Sequence, residues 1–256
     1  MAVVETVFKV LENVIARQAD GLTFSQIAAL SNLPKSTCHR VLNILVEAGY
    51  LFFNAQSKLY FATLKISALG AKVVEATDQH RLIRPIMEEM GAQSGVSCQA
   101  GIMNGFKGVA IDRVLPHKDS INFFCGLGQE FPLHCTGIGK VLLAHCSESL
   151  LNAVIAAGLP MYTDYTITDE KALRRELELV RKQGYARDGQ ELSMGVVCAA
   201  APIFNYKGEV FMAISLSYPP YREAADPAFA EQMRAMVIHY SQMVSRAMGF
   251  KAGETV

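Results

Sequence analysis

Along the first sixty residues the apolar positions follow a helical period three times and a strand-like pattern twice. Val3, Val7, Val10, Leu11 and Val14 predict a first helix, which Asp20-Gly21-Leu22 interrupts. Phe24, Ile27, Ala28 and Leu30 predict a short second helix, with Thr23 or Ser25 as its cap. Ser31-Asn32-Leu33-Pro34 reads as a turn, and Pro34 suits the first turn of a third helix. In that helix Cys38, Val41, Leu42 and Leu45 form the apolar stripe, and Gly49 can take the left-handed conformation that ends it. Tyr50 to Phe53 and Leu59 to Phe61 flank the polar run Asn54 to Lys58, the pattern of a hairpin. Three helices and a hairpin predict a winged helix-turn-helix, with Lys58 near the wing tip.

The polar side of the third helix carries chemistry. Ser36, His39, Arg40 and Asn43 fall at i, i+3, i+4 and i+7, opposite the apolar stripe. Each can donate a hydrogen bond to a phosphate or to a base edge. Read as a recognition helix, it places His39 and Arg40 in the major groove and Lys35, Ser36 and Thr37 on phosphates near the helix start. The alternative is an ordinary amphipathic surface helix.

Beyond the wing, Leu64, Ile66, Leu69 and Val73 lie in a proline-free run, Thr63 to Ala76, that suits a helix. Thr77 to His80 interrupts it. A further helix then presents Ile83, Met87 and Met90 and ends near Ser94-Gly95. Strands are predicted at Val96 to Met103 and Gly108 to Val114, around the turn signal Asn104-Gly105, and at Ser120 to Cys125. Helices follow at roughly 137–145, 148–157 and 169–183. Two strands come next, 196–204 and 210–218, and a final helix carries Phe229, Met233, Val237, Tyr240 and Val244. This order fits an α+β sheet covered by helices.

Within that second part, Thr136 precedes a predicted helix as its N-cap. Gly137 and Gly139 either leave amides open to a small anion or permit close helix packing. Ala213, Ser215 and Ser217 alternate to one face of a strand, a surface for a polar ligand or simply a half-exposed sheet face. Cys198 stands before three alanines, where a ligand can approach, or where a small thiol is merely packed.

Three ordered segments resemble the IclR family of bacterial transcription regulators. The first is Leu33-Pro34-Lys35-Ser36-Thr37 with Arg40, Leu42, Leu45 and Gly49-Tyr50. The second runs from Pro132-Leu133-His134-Cys135-Thr136-Gly137-Ile138-Gly139-Lys140 to Ala144. The third is Gly184-Tyr185-Ala186-Arg187-Asp188 with Glu191, Gly195, Cys198-Ala199-Ala200 and Pro202. The resemblance implies a DNA-binding domain over 1–62, a linker helix over 63–79 and a GAF-like effector-binding domain over 80–250. It implies a small organic acid held by Thr136, Gly137, Asp188, Cys198, Ser215 and Ser217, and a dimer seam along Leu64, Ile66, Leu69 and Val73. One departure concerns Asp188-Gly189-Gln190-Glu191, where the family's acidic cluster is interrupted by two uncharged residues.

Charge and composition change this picture little. The 256 residues are 51% hydrophobic and 19% charged, as in a buried globular protein, with zero formal net charge. The first 62 residues hold five basic and four acidic side chains, so a single copy attracts DNA weakly and two copies on adjacent half-sites are expected. No apolar run approaches a membrane span, and the N-terminus lacks a signal-peptide pattern. The six cysteines show no CxxC pair, so a reduced, cytoplasmic protein is expected.

Enzyme signatures fail. Gly137-Ile138-Gly139-Lys140 lacks the P-loop's first glycine and its Ser or Thr, and no local nucleophile motif surrounds Cys198. A metal site built from His134, Cys135, His145 and Cys146 is conceivable, with the two pairs eleven apart across one predicted helix, but it is the lesser reading, and no metal or cofactor is expected. The expected function is a ligand-responsive transcription regulator, a repressor of small-molecule catabolism genes, acting as a dimer or dimer of dimers on operator DNA. The alternative is a GAF-type small-molecule or redox sensor that signals through protein association.

Overall fold

The computed structural model describes residues 3–75, 78–115 and 126–250, and its contacts divide the chain into two units between Asp78 and Gln79. The first unit runs α1 (Val3–Ile15), β1 (Leu22–Thr23), α2 (Phe24–Ser31), α3 (Lys35–Glu47), β2 (Leu51–Asn54), β3 (Leu59–Ala62) and α4 (Lys65–Glu75). Its core joins Val10 and Val14 of α1, Ile27 of α2, the α3 stripe, and Leu51 and Tyr60 of the hairpin.

The ends of these helices follow from local chemistry. Thr23 caps α2: its hydroxyl accepts from Gln26 N, and Gln26 Oε1 accepts in return from Thr23 N. Asn32 leaves α2 in the left-handed conformation, φ 53°. Gly49, φ 73°, closes α3: its N–H reaches Val46 O and that of Tyr50 reaches Leu45 O, two bonds that occupy the helix's last carbonyls. Pro34 sits at the N-cap of α3, one residue before the predicted place in the first turn. The pattern also missed β1, where Leu22 pairs with Tyr60 and Thr23 with Leu59. Two residues are too few for any period to register.

The second unit contains α5 (Asp78–Ser94), β4 (Ser97–Asn104), β5 (Lys107–Val114), β6 (Glu130–Pro132), α6 (Gly137–Ala144), α7 (Glu148–Ala156), α8 (Glu170–Gln183), β7 (Ala186–Gly189), β8 (Val197–Phe204), β9 (Val210–Tyr218), α9 (Tyr221–Ala225) and α10 (Ala228–Ala247). Asp78, Gln79 and His80, expected to interrupt the helical pattern, instead form the first turn of α5. The candidate strand at Ser120–Cys125 lies outside the described residues. The short elements β6, β7 and α9 had no pattern of their own.

Among the described residues, six strands form one antiparallel sheet in the order β6-β5-β4-β9-β8-β7. Strand alternation gives it two unlike faces. Ala199, Ile203, Met212, Ile214 and Leu216 face a core shared with Met87 and Met90 of α5 and Phe229, Val237 and Val244 of α10. The other face presents Ala186, Ala200 and Ala213, and α6 and α8 pack there through Ile138, Leu142, Leu173 and Leu177. Those small side chains let α6 lie close. A Cβ on Gly137 would meet Ala200 Cβ at 3.1 Å, and one on Gly139 would collide with Leu133 O and Thr136 Oγ1. Both glycines therefore permit close packing. Among the described residues, no helix is long and apolar enough to cross a membrane.

Candidate functional site

In the first unit α3 separates its faces as its spacing requires. Cys38, Val41, Leu42 and Leu45 are buried, while Lys35, Ser36, His39, Arg40 and Asn43 are exposed and Thr37 is half-buried. Asn43 Nδ2 lies 3.3 Å from His39 Nδ1. With the amide as donor, Nδ1 is the acceptor and the proton of neutral His39 sits on Nε2, pointing outward as a donor. Phe24 of α2 meets the His39 ring edge-on, centroids 6.2 Å apart, which limits its rotation. At the wing, Lys58 has φ 59° in the turn after Asn54, whose Oδ1 accepts from Gln56 N and Ser57 N. The end of α3 is fastened to the start of α4. Thr63 Oγ1 donates to Gly49 O at 2.6 Å, and Lys65 Nζ donates to Ala48 O at 2.6 Å while lying over the Tyr50 ring.

In the second unit, the start of α6 faces the small-residue side of the sheet. Thr136 caps α6 by accepting from Gly139 N at 3.1 Å, and its hydroxyl donates to Pro132 O at 2.8 Å. Such a cap stabilises by about 1 kcal/mol. Gly137 and Ile138 then line a cavity of about 10 Å³ together with Gln99, Phe131, Thr136, Cys198 and Ser215. That is room for about one water molecule.

Strand register explains which residues converge. Ser217 pairs with Cys198 and Cys198 with Asp188, while Ser215 pairs with Gln99 on its other side. Ser217 Oγ lies 3.5 Å from Cys198 Sγ, and Cys198 Sγ lies 3.9 Å from Asp188 Oδ2, a row across three strands. All four predicted strand residues are buried. Thr136, Gly137, Cys198 and Ser215 touch the cavity; Ser217 and Asp188 flank Cys198 on the neighbouring strands and do not line it. Gln99 was missed in the sequence, although Ser97 and Gln99 alternate as polar residues in an otherwise apolar strand and signal one polar face.

The electrostatics behind this cavity are unusual. Lys140, 1% exposed, donates to Glu191 Oε1, to Arg187 O and to Glu176 Oε1. The neighbouring carboxylates outweigh burial and hold its ammonium above the ordinary range. Burial pushes the Asp188 carboxyl up to about 7, and the charge of Glu191 adds to this; the Glu191 N–H and Lys140 oppose it. Burial likewise drives the Cys198 thiol well above its ordinary value, so it stays protonated. His134 and His145 belong to different surroundings, the first on Pro160 O and the second against Phe204. Among the described residues, no group of three or more His, Cys, Asp or Glu side chains is arranged to hold a metal.

A winged helix with an exposed donor stripe, and a sheet with a small pocket beneath a helix start, fit a DNA-binding transcription regulator with a sensor domain. The comparisons agree. Residues 4–53 match the IclR helix-turn-helix domain, and residues 71–246 match the bacterial transcriptional regulator IclR C-terminal family. The chain is 31% identical over 255 residues to the HTH-type transcriptional regulator XynR of Escherichia coli, covering 98% of this chain and 100% of XynR. It is 31% identical over 229 residues to the E. coli HTH-type transcriptional repressor AllR, covering 89% of this chain and 83% of AllR. The crystal structure of an IclR regulator from Alicyclobacillus acidocaldarius superposes with a TM-score of 0.85 at 25% identity, covering 96% of this chain and 98% of that one. An IclR homologue from Microbacterium hydrocarbonoxydans, complexed with 4-hydroxybenzoate, shares the fold with a TM-score of 0.84 at 22% identity, covering 96% and 99%. The chain belongs to the IclR family of transcription regulators, and its curated relatives XynR and AllR are transcriptional regulators.

Proposed function

We propose that this regulator is a repressor of catabolic genes, released or strengthened on its operator by a small carboxylate-bearing metabolite. In this reading residues 1–62 bind DNA, 63–79 link and 80–250 sense. His39, Arg40 and Asn43 read base edges, and Lys35, Ser36, Thr37 and Lys58 hold phosphates. The carboxylate lies at the Gly137 and Ile138 amides, where the helix dipole favours negative charge. Ser215, Ser217 and Cys198 orient the rest of the ligand.

The single observation that carries the ligand reading is the convergence of the α6 start with Cys198 and Ser215 on one cavity. The elevated Asp188 removes an objection to it. Near neutrality the carboxyl is protonated about half the time, so an acid bound beside Cys198 meets less than a full negative charge from Asp188. The cavity as it stands admits about one water, so a metabolite enters only as the flanking side chains part. That movement is the step a ligand's preference for one arrangement would bias, and 1–3 kcal/mol of coupling shifts DNA affinity by roughly five- to 150-fold. A repressor among the relatives and a ligand-bound homologue support the same reading. The protein works in the cytoplasm, where operator DNA lies, and binds it as a dimer or dimer of dimers.

Calorimetry with a panel of small organic acids tests the pocket. An acid should bind the wild type and bind the folded Ser215→Ala/Ser217→Ala and Asp188→Ala proteins more weakly. Equal binding to all three would place the ligand elsewhere, and no binding by any acid would end the carboxylate assignment.

A further inference from the structure

The second unit holds a larger hollow at the opposite end of α6. Three helices finish around it: α6 with its C-cap His145, α8 with its C-cap Gly184, and α10. The hollow measures about 480 Å³, within the range of small-molecule sites. Arg181, Lys182 and Arg246 line it, and among the described residues no Asp or Glu does. Its apolar side is Ile238 and the stacked rings of Phe204 and Phe250, centroids 4.8 Å apart and 20° from parallel.

Basic residues at helix C-termini have an ordinary purpose, which is to offset the helix dipole. Magnitudes show that this purpose is exceeded here. Three helix C-termini bring about half a negative charge each, roughly −1.5 in all, against three full positive charges. Arg181 is partly used, since its Nη1 donates to Ala144 O at 2.7 Å, and that bond fixes its position. Lys182 and Arg246 are exposed and form no ion pair with a carboxylate among the described residues. The surplus reaches His145, which burial and Arg181 both hold below the ordinary imidazole range, leaving it neutral.

We propose that this hollow is a second ligand site, separate from the cavity at the α6 start, for a small organic dianion carrying a flat apolar ring. The ring lies against Phe204 and Phe250, and the charged end lies between Arg181, Lys182 and Arg246. Two negative charges match the surplus, and Arg side chains suit the planar oxygens of phosphate or carboxylate. The two sites sit at the two ends of one helix of eight residues, roughly 12 Å apart along its axis.

Phenyl phosphate is the probe, titrated into the full-length protein by calorimetry at physiological salt. Saturable binding of one molecule per chain is expected. Arg246→Glu and Lys182→Glu should each weaken it about tenfold or more, Gln242→Glu should weaken it too, and Ser215→Ala should leave it intact. Inorganic phosphate should bind more weakly, because it lacks the ring. Circular dichroism confirms that each variant is folded. Absence of saturable binding, or equal binding by wild type and all three charge variants, overturns the proposal. So does loss of binding in Ser215→Ala alone, which moves the probe to the α6 start. Weakened operator binding by Arg246→Glu without any phenyl phosphate binding also overturns it, since the face would then contact DNA.

Discussion

Replacing Asp188 with Asn should change how the stability of the second unit depends on pH. Asp188 is buried on β7, where its Oδ1 accepts from Glu191 N at 2.7 Å, a bond that an Asn oxygen can also accept. Burial raises the carboxyl from 3.8 to about 7, so the folded state holds the proton more tightly than the unfolded chain does. The sign follows from proton linkage. Stability from this group is complete below pH 4 and is lost as pH rises through about 7. Integrated between pH 5 and pH 8, the loss is about 2–3 kcal/mol. Asn cannot ionise, so the variant keeps only the pH dependence of the other groups. The chain has no tryptophan, so urea unfolding is followed by circular dichroism, for both proteins at both pH values. Wild type should lose about 2–3 kcal/mol more than Asp188→Asn across this interval. Parallel behaviour within about 0.5 kcal/mol would refute the buried, proton-holding carboxyl, and with it the reduced charge that a bound acid would meet.

Two further outcomes bear on DNA binding. Arg40→Ala should weaken operator affinity by about 1–3 kcal/mol in a gel-shift or anisotropy titration, and unchanged affinity in a folded protein would remove α3 as the reading helix. Leu64→Lys/Leu69→Lys should shift the protein toward monomer in sedimentation at micromolar concentration, because Leu64 is 84% and Leu69 45% exposed in one chain, as residues of the proposed dimer seam would be. A wild type that sediments as a monomer with and without DNA would contradict the proposed assembly.

The helices of the first unit were legible because each carries an unbroken apolar stripe and a recognisable end, such as Thr23 before α2 or Gly49 after α3. The longer strands were legible because Asn104-Gly105 and Lys207-Gly208 mark their turns. The short strands β1, β6 and β7 were not: the four-residue β2 and β3 are marked by aromatic runs on either side of a polar turn, a signal that these three lack. For the site, Thr136 as a cap could be inferred from its place before an apolar run. The purpose of Gly139 could not: only the fold shows that its missing Cβ makes space for the Leu133 carbonyl. The Lys140 network was equally hidden, because its partners come from α8 and from the turn after β7, 36 and 51 residues away.

The two bonds from Thr63 and Lys65 to the end of α3 make α3 and α4 a single lever. A helix of 13 residues is about 20 Å long, and turning it by about 10° about one end carries the other end roughly 3.4 Å, the rise of one base pair. In the proposed reading, a tilt of α4 that α3 followed would therefore carry the reading helix by about one step of the operator. Control of such a protein does not require the reading helix to unfold or its side chains to change. In the proposed reading it requires only that α4 turn by about 10°, a change that a ligand's preference for one arrangement would bias.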